Sequence, residues 1–204
     1  MKENLIKAVT VIQKRKAFRK YIMLMKKTYN VLREYVLMSS QEGPYFEDFK
    51  VGQKFKSKIG RTVTETDNIW FTLLTNNSNQ IHFNKDYTER VFSGDPFKGR
   101  LVVNGFLTLA IVAGLLVEET SQNGFMLGIE NVKFLHPVFP GDTIYAEAEV
   151  IETRESKSRP GFGIVRIRTY GYNQNGEKVI EFDRVFMVRK RGAMWTGEKA
   201  EKKT

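Results

Sequence analysis

Two histidines, His82 and His136, are present in 204 residues, and there is no cysteine. That inventory excludes a disulfide framework, a thiolate zinc site and a cysteine nucleophile, and it leaves almost nothing for a histidine-rich metal centre. Acid–base chemistry at a single imidazole remains open. His82 ends the polar run Thr75-Asn76-Asn77-Ser78-Asn79-Gln80-Ile81-His82, a dense group of amides beside a titratable ring. The run reads as a helix C-terminus followed by an Asx-rich turn, with the histidine exposed or satisfied by a neighbour. Helix end, loop and histidine are also how a general base is mounted where it reaches substrate. His136, beside Pro137 in a strand expected over Asn131 to Val138, reads as structural.

The elements that position these residues follow from periodicity. Residues 54–63 (KFKSKIGRTV) predict a first strand. Thr64-Glu65-Thr66-Asp67 then supplies an N-cap threonine with an acid three residues on, and the helix runs through Ile69, Phe71, Leu73 and Leu74 to the polar run. Asn84 to Val91 predicts a short helical turn and Ser93-Gly94-Asp95-Pro96 a loop. From Leu101 to Val117 the chain is apolar except for Asn104 and Thr108, which predicts a wholly buried helix. It is marginal in length for a membrane span, and the two polar positions argue against one. Beyond it, apolar and polar residues alternate along Ile144–Val150, Val165–Thr169 and Ile180–Asp183, with turns at Pro140-Gly141-Asp142 and Asn173-Gln174-Asn175-Gly176. Antiparallel strands around one apolar helix predict an α+β layer fold.

Charge separates the chain into three parts. The formal net charge is +10, which taken alone points to nucleic acid or an anionic membrane. Residues 1–43 hold ten Lys/Arg against three Glu, a net of +7, and residues 189–204 hold six against two, a net of +4. Residues 44–188 hold 17 basic and 18 acidic residues, so the body is neutral and no nucleic-acid partner is expected. The domain reading is a basic helical extension over 1–43, a folded domain over 44–192 and a basic tail over 193–204. The extension lacks Pro and, before Gly43, Gly. It reads as a surface helix docked on the body, as a basic helix for anionic surfaces, or as a dispensable segment preceding a start at Met38.

Three stretches in register carry a family resemblance. Thr64-Glu65-Thr66-Asp67 leading to Asn77 and His82 resembles the hydratase motif, in which an acid sits five residues before a histidine. Val102-Val103-Asn104-Gly105-Phe106-Leu107-Thr108-Leu109 resembles the start of a buried helix, usually Ala-His-Gly-x-x-Thr-Leu. Residues 134–143 resemble a Pro-x-x-x-Gly-Asp turn. Together, residues 45–192 resemble the MaoC-like dehydratases, the (R)-specific enoyl-CoA hydratase family of hot-dog fold. Residues 70–75, 155–161 and 188–192 resemble its mesaconyl-CoA hydratase branch. The departures are Asn77 in place of the aspartate, Gln80 in place of a proline, and Asn104 in place of a histidine.

The resemblance implies an antiparallel sheet wrapped round a long helix, a homodimer with the site at the protomer boundary, a cytoplasmic enzyme, and an acyl-CoA thioester as substrate with neither metal nor cofactor. It implies His82, Asn77 and Gly105 as catalytic and Asn79, Asn104 and Arg159 as substrate-binding. An asparagine orients water but takes no proton near neutral pH, which leaves His82 as the single acid–base group or the acid elsewhere. Gly105 reads either as room for helix–sheet packing or as a bare helix N-terminus whose N–H stabilises enolate charge, and the resemblance favours the latter. Asn104 adds a donor or caps the helix. Arg159 lies in a strand-connecting loop or meets a CoA phosphate. Two rival activities stay in view. A hot-dog thioesterase needs a carboxylate near the buried helix, which offers none before Glu118 and Glu119; a non-catalytic acyl-CoA-binding protein would explain Asn77 as lost chemistry.

Overall fold

Alternation decides which face of each strand meets the core. The computed structural model describes residues 18, 20–31 and 43–193, and the chain divides into two units, residues 1–42 and 43–204. In the first unit the described residues are helical; the rest of the basic extension, and the tail from residue 194, lie outside the described residues. The second unit holds β1 (Lys54–Lys56), β2 (Arg61–Thr62), β3 (Gly124–Phe134), β4 (Thr143–Glu155), β5 (Phe162–Tyr172) and β6 (Lys178–Arg189). They form an antiparallel sheet in the order β1-β4-β5-β6-β3, with β2 added on β4, so β3 is an edge. In β4, Ile144, Ala146, Ala148 and Val150 are buried, while Lys54 and Lys56 reach across to Glu149 and Glu147 on the other face. Exposed pairs of this kind contribute only about 0.2–1 kcal/mol each. Their main effect is a charge-balanced outer face on β1 and β4.

The helices are α1 (Glu65–Leu74), α2 (Lys85–Val91), α3 (Gly105–Gly114) and α4 (Val117–Thr120). Leu107, Thr108, Val112 and Ala113 of α3 are buried. Gly171 of β5 lets α3 approach, since a Cβ there would lie 2.6 Å from Val112 Cγ2. Each fully buried valine or isoleucine in this layer contributes roughly 1.5–3 kcal/mol. Arg184 projects from β6 into the same core at 2% exposure. Burial lowers its guanidinium to about 10, and it donates to Ala113 O (3.2 Å) and Ser121 Oγ (3.3 Å). A cation thus sits against the negative C-terminal end of α3, the favourable sign for a helix dipole.

Three expectations change. The apolar run 101–117 is not one wholly buried helix: Leu101–Asn104 is not helical, because Val102 N–H donates to Ile81 O (2.9 Å) and Val103 N–H to Val138 O (2.8 Å). One sheet covers one side of α3, so Phe106 stays 70% exposed and Ala110 and Gly114 are exposed as well. The expected first strand is split at Ser57–Gly60, where Ser57 Oγ accepts Ala146 N–H (3.0 Å). The strand expected over 131–138 ends at Phe134. A register shift between Glu130 and Lys133, with Asn131 at φ 55, turns the chain, and Pro137 has no N–H for a ladder. The turn Asn173–Gly176 forms as expected, with Asn173 Oδ1 accepting the N–H groups of Asn175 and Glu177. Among the described residues no helix is long and apolar enough to cross a membrane.

Candidate active site

The site starts from the two ends of α1. At its start, Thr64 Oγ1 accepts Asp67 N–H (3.1 Å) and Asp67 Oδ2 accepts Thr64 N–H (2.8 Å), a capping box. The hydrogen bond from the Thr64 backbone, against a smaller opposing effect of burial, holds the Asp67 carboxyl below its usual range, helped by the Thr64 hydroxyl and Arg61. At its end, Asn76 takes φ 54, Asn76 N–H donates to Leu73 O and Asn77 N–H to Thr72 O. This is a Schellman stop with asparagine in the left-handed position. Asn77 Oδ1 then accepts Asn79 N–H (3.0 Å), and Asn79 Oδ1 accepts Ile81 N–H (3.3 Å), capping a short 3-10 turn, Gln80–His82. The amide-rich run is therefore the hinge that delivers His82.

One buried side chain locks this hinge to α3. Asn68, wholly buried in α1, donates from Nδ2 to His82 O (2.7 Å) and Val102 O (3.0 Å), and its Oδ1 accepts Asn104 N–H (2.8 Å). His82 Nδ1 lies 2.8 Å from the same Val102 O. A carbonyl only accepts, so Nδ1 carries the proton and Nε2 presents a lone pair. Asn104 Oδ1 accepts Phe106 N–H (3.0 Å) and its Nδ2 donates to Thr72 Oγ1 (3.3 Å), which makes it the N-cap of α3. The N–H of Gly105, the first amide of that helix, has no acceptor within the helix.

His82 and Gly105 meet in one cleft of about 290 Å³, lined also by Thr108, Phe134, Leu135 and His136. A Cβ on Gly105 would lie 2.8 Å from the Phe134 ring, so the glycine is what lets that ring lie against the start of α3. The chain's two histidines thus share a pocket. His136 Nδ1 lies 2.8 Å from Lys178 O, so this ring too turns Nε2 outward from a backbone carbonyl. His136, expected to be structural, is thus a wall of the cleft, and Asn68 belongs to no motif in the sequence. The one signal for Asn68 in the sequence is its place on the same side of α1 as Thr72. Asn77, Asn79 and Asn104 do not line the cleft; the described geometry gives their side chains to turns and caps. Arg159 lies in the β4–β5 turn, its guanidinium 5.9 Å from the Phe125 ring. That is the end of the sheet away from Val179, roughly 30 Å along β6 at about 3.3 Å per residue. Glu118 and Glu119 line a separate cavity of about 440 Å³ with Lys58 and Leu115, and among the described residues no carboxylate lines the His82 cleft. Among the described residues no group of three His, Asp or Glu could hold a metal.

An antiparallel sheet cradling one helix, with an imidazole delivered to that helix's N-terminus, defines a hot-dog-fold protein with a cleft at the helix mouth. The family model described as mesaconyl-CoA hydratase matches residues 27–204. Mesaconyl-CoA hydratase of Cereibacter sphaeroides is 32% identical over 155 residues, covering 76% of this chain and 43% of that protein. The (R)-specific enoyl-CoA hydratase of Rhodospirillum rubrum is 30% identical over 148 residues, covering 72% of this chain and 94% of that protein. The solved MaoC-like dehydratase from Rhodospirillum rubrum superposes with a TM-score of 0.63 at 27% identity, covering 74% of this chain and all of that one. The chain belongs to the MaoC-like dehydratase family, in the group that the mesaconyl-CoA hydratase model describes. It spans less than half the length of the first curated relatives it matches.

Proposed function

We propose that the chain is an acyl-CoA hydratase/dehydratase acting on short enoyl-CoA thioesters of the mesaconyl-CoA kind. The observation that carries this reading is the shared cleft: a histidine with a free Nε2 lone pair faces a helix N-terminus whose first amide is uncommitted. His82 Nε2 takes a proton from water as its hydroxide bonds to Cβ of the enoyl group. Charge moves to the thioester oxygen, where Gly105 N–H and the positive end of α3 stabilise it. The imidazolium returns the proton to Cα, the enolate collapses, and one water has been added. Dehydration is the reverse. The thioesterase alternative is not favoured, because Glu118 and Glu119 face another cavity.

The test is a purified sample incubated with crotonyl-CoA and mesaconyl-CoA while enoyl absorbance and free thiol are both followed. Loss of absorbance without thiol release is expected; thiol release, or inertness despite CoA binding, contradicts the reading. Asn77→Asp retains an acceptor for Asn79 N–H and so preserves the turn. With His82 as sole acid–base group its rate stays close to wild type, whereas a gain of about tenfold or more, within the range one positioned acid supplies, would place the missing acid at 77.

The same reading includes a homodimer. β3 is an edge strand carrying exposed Phe125, Met126, Leu127 and Phe134, and such an edge is a template for pairing. Phe134 at its end is also a wall of the His82 cleft. Antiparallel pairing of two β3 edges brings the Arg159 end of one copy beside the His82 end of the other, the arrangement in which Arg159 approaches a CoA phosphate. Sedimentation at dimer mass is expected; a monomer at micromolar concentration contradicts it.

A further inference from the structure

Mesaconyl-CoA is a methyl-substituted butenedioate joined to CoA through one carboxyl. The second carboxylate stays free on the carbon that receives hydroxide. A residue that recognises it must therefore share the cleft with His82. Among the described residues no lysine or arginine lines that cleft, and of the described lining side chains only His82 and His136 can carry positive charge. The neighbouring lysines are engaged elsewhere: Lys178 Nζ lies 4.1 Å from the Tyr170 ring centroid and 3.9 Å from Glu181, and Lys133 donates to Glu181 (2.8 Å).

We propose that His136 is the substrate-binding residue for this free carboxylate, so that the cleft selects carboxylate-bearing enoyl-CoA thioesters; this rests on the hydratase reading above. The ring is already oriented. Nδ1–H is held by Lys178 O, and as imidazolium the ring donates from Nε2 to the carboxylate while keeping that backbone bond. Phe134 and Leu135, immediately before it, supply an apolar wall for the methyl group and the alkene carbon that bears it. His82 keeps the base role, since its Nδ1 is anchored deeper, on the Val102 carbonyl at the helix mouth. The division of labour is one histidine for the proton and one for the charge.

The experiment compares mesaconyl-CoA with crotonyl-CoA, which lacks the carboxylate, in wild type, His136→Ala and His136→Lys. His136→Ala is expected to lower kcat/KM for mesaconyl-CoA by about 10- to 100-fold, chiefly through KM, the range for a lost charge-assisted hydrogen bond. Crotonyl-CoA turnover stays close to wild type, and His136→Lys recovers most of the mesaconyl-CoA loss. Equal losses on both substrates overturn the proposal and make His136 a second acid–base group; no loss on either also overturns it. Calorimetric titration of the same three proteins with both thioesters separates this proposal from the hydratase reading. Wild type that turns over neither thioester, yet loses only mesaconyl-CoA affinity on His136→Ala, sinks the activity and leaves the carboxylate site standing. Equal affinities throughout sink the site.

Discussion

His82→Ala is expected to lower kcat/KM for enoyl-CoA hydration by about 10²–10⁴-fold, the usual contribution of a positioned general acid–base group. The size follows from the cleft. Among the described residues no carboxylate lines it, and the other imidazole there, His136, is the one assigned to the charge of the substrate and not to the proton. The protein should remain folded, because the substitution removes one hydrogen bond to Val102 O, a bond worth about 1 kcal/mol. His82→Gln is the companion variant: it fills more of the space and retains an N–H donor but cannot titrate, so it should be nearly as slow. Progress curves with crotonyl-CoA, beside a thermal melt of each variant, check both halves of the expectation. Activity within about threefold of wild type, far below the loss typical of a removed acid–base group, would falsify the assignment.

The second large effect is expected at a residue remote from the reacting atoms. Asn68→Ala removes two donors and one acceptor from a wholly buried junction. It leaves Asn104 N–H without its partner at the start of α3, and His82 O without its donor. A buried group left unpaired costs about 1–3 kcal/mol, so a loss of roughly 2–5 kcal/mol is expected. That is a large share of the 5–15 kcal/mol typical of a whole domain. Asn68→Asp has the same shape and keeps the acceptor for Asn104 N–H, but it turns its second oxygen on two carbonyl oxygens. It should be no more stable than the alanine variant, although its packing is intact. Urea midpoints for the two variants measure this directly. Parallel kcat/KM values should fall as well, since Asn68 fixes the His82 turn relative to the helix mouth. A loss below about 1 kcal/mol for Asn68→Ala, the level of one ordinary exposed hydrogen bond, would remove Asn68 from this role.

Much of the framework was readable from local chemistry. Thr64 and Asp67 cap α1 as their spacing predicts, because both partners of that exchange lie within one helical turn. Asn76 and Asn77 stop the same helix, and Asn173 folds the β5–β6 turn, for the same reason: acceptor and donor are near neighbours in sequence. Alternation in β4 and β5 chose the inward faces, and the count of charges along the chain assigned the basicity to the termini. The resemblance to MaoC-like dehydratases picked out His82 and Gly105, which the fold brings together.

What was not readable depends on partners distant in the chain. The length of α3 was overestimated because hydrophobicity does not reveal that Val102 and Val103 spend their N–H groups on Ile81 and Val138. Its burial was overestimated because composition cannot say that a single sheet covers a single side. Arg184 shares the inward parity of Ile180, Phe182 and Phe186, but only the fold supplies what lets a cation lie there, the carbonyl end of α3.

The sequence by itself determined the caps, the turns, the alternating strands, the neutral body between basic ends, and one histidine at the end of an amide-rich turn. Each rests on residues close enough along the chain to satisfy one another. Only the tertiary structure decided that Asn68 joins three segments, that Asn104 caps α3 and Phe134 packs on Gly105, and that His136 faces the cleft of His82. Those outcomes depend on buried donors and acceptors finding partners 14 to 42 residues away, and such partners become neighbours only when the sheet closes over the helix.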